Sequence, residues 1–440
     1  MSAFVHPDEI RSRFSAALSA MYRAEVPQYG DLLTLVADIN AQVLKADAAR
    51  ADRLAASGEL ARLSEERHGA IRVGAAEELA TIARAFAVMG MAPVSYYNLA
   101  PAGVPVHSTA FRPVDPAALA RNPFRVFCSL LRLELIEDEA LRAEAAETLA
   151  RRDIFTAAAR DLIATAEAQG GLDEDQADRF VAELLETFRW HAEATVSAAT
   201  YDRLVAAHRL IADVVSFKGP HINHLTPRTL DIDAAQAAMP ARGITPKETI
   251  EGPPARACPI LLRQTSFKAL EEAIAFPDAD GTTAGTHTAR FGEIEQRGCA
   301  LTPAGRALYD QALATGDFSA LPDDWDALRR GELAWFRYRA TPQGLAMRVE
   351  TADLDALIAR GHVVAEPITY EDFLPVSAAG IFQSNLGAEA RQSAYAADPA
   401  RAAFETALGR PVLDEMALYR TEQDASIATT LKALGVAETV

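Results

Sequence analysis

The sequence predicts a mixed α+β fold, and three observations carry that prediction. Segments rich in β-branched and aromatic residues, punctuated by Gly and Pro, recur at 93–114, 220–225, 259–267 and 288–297. Between the first of these and the rest runs an Ala-rich, Leu-rich, charged stretch, 116–215, whose only glycines are Gly170 and Gly171. No Gly-rich nucleotide fingerprint follows a strand-like segment, so antiparallel pairing is expected in preference to a doubly wound parallel sheet.

The elements follow in chain order. From Pro7 to Gly58 the chain reads as helices, because Ile10, Phe14, Leu18 and Tyr22 recur every four residues and Leu32, Leu33, Leu35, Val36 and Ile39 form a second stripe. Asp8 and Glu9 favour the positive end of the first helix. A further amphipathic helix is expected over 75–89, directly after a His-containing strand or turn at 68. Two strands joined by a turn are expected at 93–99 and 104–114. The stretch 116–215 reads as an all-helical insert, with one long helical pattern from Asp173 to Val215 through Phe180, Leu184, Phe188, His191, Leu204 and His208. Strand signals resume at Pro220, Pro259, Thr288, Leu333 and Ile368, and Thr302-Pro303 cap and open a helix among them. This gives three parts, 1–115, 116–215 and 216–440, with the last completing one composite catalytic domain.

Bulk properties bound the function. A chain of 440 residues, half of them hydrophobic, buries a substantial core. Its 43 basic and 61 acidic residues give a net charge of −18, which disfavours nucleic acid and anionic membranes as partners. Cys128, Cys258 and Cys299 have no metal-binding spacing and an odd count, so buried reduced thiols are expected. With no signal-like N-terminus and no long apolar run, a cytoplasmic location is expected.

Three distant segments carry candidate chemistry: Arg67-His68-Gly-Ala-Ile-Arg72, His221-Ile-Asn-His224-Leu-Thr-Pro, and Phe291-Gly-Glu293-Ile-Glu295-Gln-Arg-Gly. Two imidazoles and one carboxylate make the facial triad that suits non-haem iron(II) and leaves positions open for substrate and dioxygen. His68 and Arg72, four apart, share a face whether on a strand or a helix, so an imidazole and a guanidinium converge. His221 and His224 differ by an odd number; on a regular strand only one can face the metal. His287, Glu293 and Glu295 share parity, and a continuous strand would project all three to one side. Such a face needs a metal or nearby Arg if it is buried. The run Arg263-Gln-Thr-Ser-Phe-Lys268 could supply hydrogen bonds to a polar ligand, and Trp190-His191 is expected in the core.

Together with Pro259-Ile-Leu-Leu-Arg-Gln-Thr-Ser-Phe-Lys268 and Leu374-Pro-Val376-Ser377-Ala-Ala-Gly-Ile-Phe-Gln-Ser-Asn-Leu386-Gly387, these segments resemble the 2-oxoadipate dioxygenase/decarboxylase family, a branch related to the vicinal oxygen chelate superfamily. The resemblance spans most of the chain. It implies a curved mixed or antiparallel sheet of βαβββ type wrapped round a metal, with large helical additions. It further implies that His68, His224 and one Glu of the third segment hold Fe(2+), with Glu293 the choice and Glu295 on the same face. Arg72 is implied to hold a substrate carboxylate, and groups at Val376 and Ser377 to close the pocket. The implied reaction uses dioxygen to decarboxylate 2-oxoadipate and hydroxylate the shortened acid to 2-hydroxyglutarate, a step of lysine breakdown. The competing expectations are a non-oxidative metal-dependent lyase or isomerase of the same fold, and a metabolite-binding protein without catalysis.

Overall fold

Pro7 opens α1 (Pro7–Glu25) at a position where its missing N–H costs nothing, His6 caps the helix by accepting from the Asp8 N–H, and Asp8 and Glu9 lie at the positive end of the dipole. The predicted stripe is buried: Ile10, Phe14, Leu18 and Tyr22 are all inaccessible or nearly so. Helix α2 (Pro27–Ala46) also opens on a proline, without a side-chain cap, and short helices α3 (Ala48–Ala56) and α4 (Glu59–Arg62) follow. The computed structural model describes residues 4–65, 68–278, 281–347, 352–374 and 399–436.

The chain falls into two compact units. The larger contains Met1–Glu251, Gln264–Gln296 and Pro375–Leu413; the smaller contains Gly252–Arg263, Arg297–Leu374 and Asp414–Val440. In the larger unit, β1 (His68–Val73) is followed by α5 (Ala76–Val88), β2 (Ala92–Asn98), β3 (Val106–Arg112), α6 (Pro116–Arg121) and β4 (Arg125–Leu131). Helices α7 (Glu139–Ala150), α8 (Ala157–Gln169), α9 (Glu174–Leu185), α10 (Ala198–Ala207) and α11 (Arg209–Val215) lead to β5 (His224–Thr226) and α12 (Ile232–Ala238). Then come β6 (Leu262–Ser266), the hairpin β7 (Glu271–Asp278) and β8 (Gly281–Thr288), and β9 (Glu293–Arg297).

Five strands form one sheet in the order β2-β3-β4-β1-β5. β1 runs parallel to β4 and antiparallel to β5, while β2, β3 and β4 pair antiparallel, so the sheet is mixed. Alternation gives it two different faces. Ile71, Val73, Phe111, Val126, Cys128, Leu130 and Leu225 join the core with Phe14, Phe86, Ile163 and Phe180 of the helices. The opposite face presents His68, Arg72, Ser108, Arg125, Ser129, His224 and Thr226, all buried as well. A polar face removed from water is costly unless its groups are satisfied, and that cost marks the place to look for chemistry.

The smaller unit has α13 (Pro303–Thr315), α14 (Trp325–Arg330), β10 (Phe336–Ala340), α15 (Pro342–Leu345), α16 (Leu354–Ala359) and β11 (Val363–Pro367). Thr302 caps α13 by accepting from the Gly305 N–H, as its sequence predicts. β10 pairs antiparallel with β11. After α17 (Pro399–Leu408) of the larger unit, α18 (Glu415–Ala433) closes the open edge of β10: Gln423 and Ser426 accept from the N–H groups of Phe336 and Tyr338.

Four expectations need correction. Residues 116–215 are not wholly helical, because Arg125–Leu131 is a strand of the main sheet, lying between β3 and β1. The long pattern from Asp173 to Val215 breaks after α9: Ala194 donates to Ala275 of β7, so Trp190-His191 lies in an extended linker instead of a helix. His287 and Glu293 do not share one strand, since residues 289–292 separate β8 from β9. Finally, His221 precedes β5 with φ of 25°, so a backbone kink and not strand alternation turns it away from His224. The three cysteines are free and buried, as expected.

Candidate metal centre

Backbone hydrogen bonds draw the three candidate segments together before any side chain is considered. Asn223 donates to the Ala70 carbonyl of β1, and Phe291 donates to the Asn223 carbonyl, so the chain just before His224 links β1 to the approach to β9. Tyr22 of α1 reinforces this junction, its hydroxyl lying 3.0 Å from the Asn223 oxygen and 2.7 Å from the Phe291 oxygen. Downstream, Glu295 donates to Pro227 and its carbonyl accepts from Thr229, which aligns β9 alongside the continuation of β5. Gly69 lets β5 approach closely: a Cβ there would stand 2.7 Å from Ile222 and 3.2 Å from the His224 carbonyl.

On this frame His68, His224 and Glu293 converge, each with a ligand atom within 4.8 Å of the others. His68 Nε2 is 2.9 Å and His224 Nε2 is 3.8 Å from Glu293 Oε1. The imidazole planes stand at 90°, with centroids 5.5 Å apart. Thr226 Oγ1 and Gln264 Nε2 donate to the same Glu293 oxygen at 3.2 and 2.7 Å. Glu295 occupies the other edge of His68, its Oε2 2.8 Å from Nδ1, and Arg125 lies 3.5 Å from the second Glu295 oxygen.

The protonation preferences suit a cation. Burial, strengthened by Arg72, Lys247 and the neighbouring His68, pushes His224 down to about 3 against the opposing pull of Glu293, so this imidazole is neutral. Burial alone would raise Glu293, but the hydrogen bond from His68, with the charges of His68 and Lys247, helps hold the carboxyl below its ordinary range. Neither ring nitrogen of His224 has a hydrogen-bond partner among the described residues, although the side chain is 1% exposed. A buried neutral imidazole without a partner, beside an ionised carboxylate and a second imidazole, is the donor set a divalent metal satisfies. The residues present therefore fit a metal.

A second buried cluster lies in the same unit. Asp213 of α11 receives Arg72 Nη1 on Oδ2 at 2.6 Å, and its Oδ1 is 2.9 Å from His287 Nε2 and 3.2 Å from His221 Nε2. Tyr201 of α10 contacts the far ring nitrogen of His287 at 2.8 Å, and Trp190 stacks on that ring with an interplanar angle of 15°. The structure thus separates the His candidates: His68 and His224 face Glu293, while His221 and His287 face Asp213. Arg72, expected in a shared volume with His68, is buried and ion-paired. Val376 and Ser377 lie outside the described residues. Sequence reasoning missed Asp213, Arg125 and Thr226; the one signal for Asp213 is a lone acid inside the apolar run Leu210-Ile-Ala-Asp-Val-Val215.

The sequence model of the 2-oxoadipate dioxygenase/decarboxylase family matches residues 14–385. The chain belongs to this family. Its relatives include the 2-oxoadipate dioxygenase/decarboxylase of Escherichia coli (strain K12), 60% identical over 97% of this chain and 98% of that one. The enzyme of the same name from Pseudomonas putida is 57% identical, covering 98% of each chain. Among solved structures, the hydroxyglutarate synthase of Pseudomonas putida in complex with 2-oxoadipate superposes with a TM-score of 0.90 at 55% identity, over 99% of this chain and all of that one. The mixed α+β architecture is thus that of the family.

Proposed function

We propose that this family member is an iron(II)-dependent dioxygenase that converts 2-oxoadipate and dioxygen to 2-hydroxyglutarate and carbon dioxide. The observation that carries the reading is the convergence of His68, His224 and Glu293 around an unpartnered buried imidazole. The succession β1-α5-β2-β3-β4, with spatial order β2-β3-β4-β1, supports a vicinal-oxygen-chelate-like βαβββ unit beneath it.

Iron(II), when bound, supplies electrons for dioxygen and open positions for the keto oxygen and adjacent carboxylate of a 2-oxo acid. The chain's own residues prepare the site for it. His224, kept neutral by burial, offers a lone pair, and Thr226 and Gln264 fix the Glu293 carboxylate. Glu295 holds the Nδ1 edge of His68 and so directs Nε2 towards Glu293, the outer-sphere arrangement that fixes tautomer and ring orientation. We therefore assign Glu293 as the carboxylate ligand and Glu295 as the residue that orients His68.

Arg72 projects from the same face of β1 as His68 and offers a planar guanidinium suited to a substrate carboxylate. Val376 and Ser377 are assigned to the pocket wall on the family pattern. A guanidinium in this place fixes which carbon of the shortened acid lies nearest the metal, and positioning of that kind decides the outcome of an oxidation.

The test is anaerobic loading with ferrous iron, admission of oxygen and parallel measurement of oxygen uptake, carbon dioxide and 2-hydroxyglutarate. One of each per 2-oxoadipate is expected. Turnover of 2-oxoadipate without oxygen uptake would replace this reading with a non-oxidative lyase or isomerase. Arg72→Ala should bind iron fully and lose most turnover; unchanged 2-oxoadipate kinetics would remove Arg72 from the substrate.

A further inference from the structure

Apart from Arg72, the cluster around Asp213 is used by none of the steps above, yet it joins groups from several elements of the larger unit. Its carboxylate is buried, with one oxygen on Arg72 and the other between His221 and His287. The groups come from five places: β1, α11, the segment before β5, β8 and, through Tyr201, α10. Trp190 and Phe217 pack their rings against His221 and His287, so the imidazoles are held by apolar neighbours as well as by the carboxylate.

Two buried imidazoles and a carboxylate could be read as a second metal site. Arg72 argues against that, because its Nη1 stands 2.6 Å from Oδ2 and already gives this carboxylate a permanent counter-cation, which a dication beside the same carboxylate would repel. The arrangement makes physical sense instead as an anchor for Arg72. An arginine side chain has many rotamers, and a guanidinium that must meet a small anion in one orientation binds better if those rotamers are removed beforehand. Asp213 Oδ2 engages Nη1, one donor of the five-donor fork, and so sets the orientation of the guanidinium plane. The His287 bond on Oδ1, with the His221 ring 3.2 Å from the same oxygen, resists rotation of the Asp213 carboxylate with its partner.

We propose that Asp213, locked by His287, His221 and Tyr201, is the positioning residue that presents Arg72 to the substrate carboxylate; this rests on the reading of Arg72 given above. It follows that Asp213 acts on substrate affinity through Arg72 and does not act on the metal.

The experiment is a double-mutant cycle read as 2-oxoadipate affinity by calorimetry on the ferrous protein under nitrogen, with iron content measured in parallel. Asp213→Asn should weaken 2-oxoadipate at least tenfold, with iron still at one per chain. In an Arg72→Ala background the same substitution should change affinity less than twofold, because the group it serves is gone. Tyr201→Phe, which removes only the outer link to His287, should weaken 2-oxoadipate about threefold and provides the test if Asp213→Asn does not fold. Equal weakening with and without Arg72, unchanged affinity in either single variant, or two irons per chain would overturn the anchor. If Arg72→Ala alone leaves the affinity intact, the fault lies in the assignment of Arg72 and not in its coupling to Asp213.

Discussion

At the centre, Glu295 faces the Nδ1 edge of His68 while Glu293 faces Nε2, and the proposed function gives the two carboxylates different tasks despite their shared strand. Glu295→Gln should therefore retain an iron site but weaken it by roughly 10–100-fold, measured by chelator competition, whereas His224→Ala should abolish stoichiometric iron. Equal loss in both variants would make Glu295 a ligand. At this scale the sequence was partly legible. His68 and Arg72 could be placed on one face because a spacing of four does so in either kind of structure. The partition of His221 from His224 could not be derived correctly, because it depends on a positive φ at His221 that no periodicity reveals. Asp213 was hidden for another reason: its partners Arg72, His221 and His287 come from separate elements that only the tertiary fold unites.

Among the elements, the pairing of β1 with β5 sets the geometry of the site. Ala70 stands opposite His224 and His68 opposite Thr226, so a slip of one residue would turn His224 to the other face. Gly69 makes this pairing possible by leaving room for Ile222, Leu225 and the His224 carbonyl. Gly69→Val should cost about 1–3 kcal/mol by overpacking, seen as a lower Tm, and should reduce iron content. Full iron with a lowered Tm would show that β5 can give way without moving His224. The helices α1, α2 and α5 were readable because each carries a long apolar stripe with clear ends. Strand β4 was not, since Arg125-Val-Phe-Cys-Ser-Leu-Leu131 is buried on both faces and lacks the alternation of a half-exposed strand. The break after α9 was equally invisible, being caused by capture of Ala194 by a strand about eighty residues further on.

At the scale of the whole molecule, the mixed α+β class was evident from the sequence, but the division into two units was not, because each unit gathers segments from distant parts of the chain. Among the described residues no helix is long and apolar enough to cross a membrane. The buried carboxylates make the fold sensitive to acid. Burial would raise Asp213, but Arg72 and His221 overcome it and hold the group well below 3.8, so the unfolded chain takes up a proton first. Stability from this group is full above the ordinary carboxylate range and declines as pH falls through it. The Tm should therefore drop between about pH 5 and about pH 3, and drop less steeply in Asp213→Asn; parallel curves would remove Asp213 from the acid response. The convergence of His68 with Glu293 has one more consequence. These residues are 225 positions apart, and closing a loop of that length is a slow event that local helix formation does not hasten. Iron capture during refolding should thus be a clock for the last long-range closure of the larger unit, trailing the recovery of helical signal.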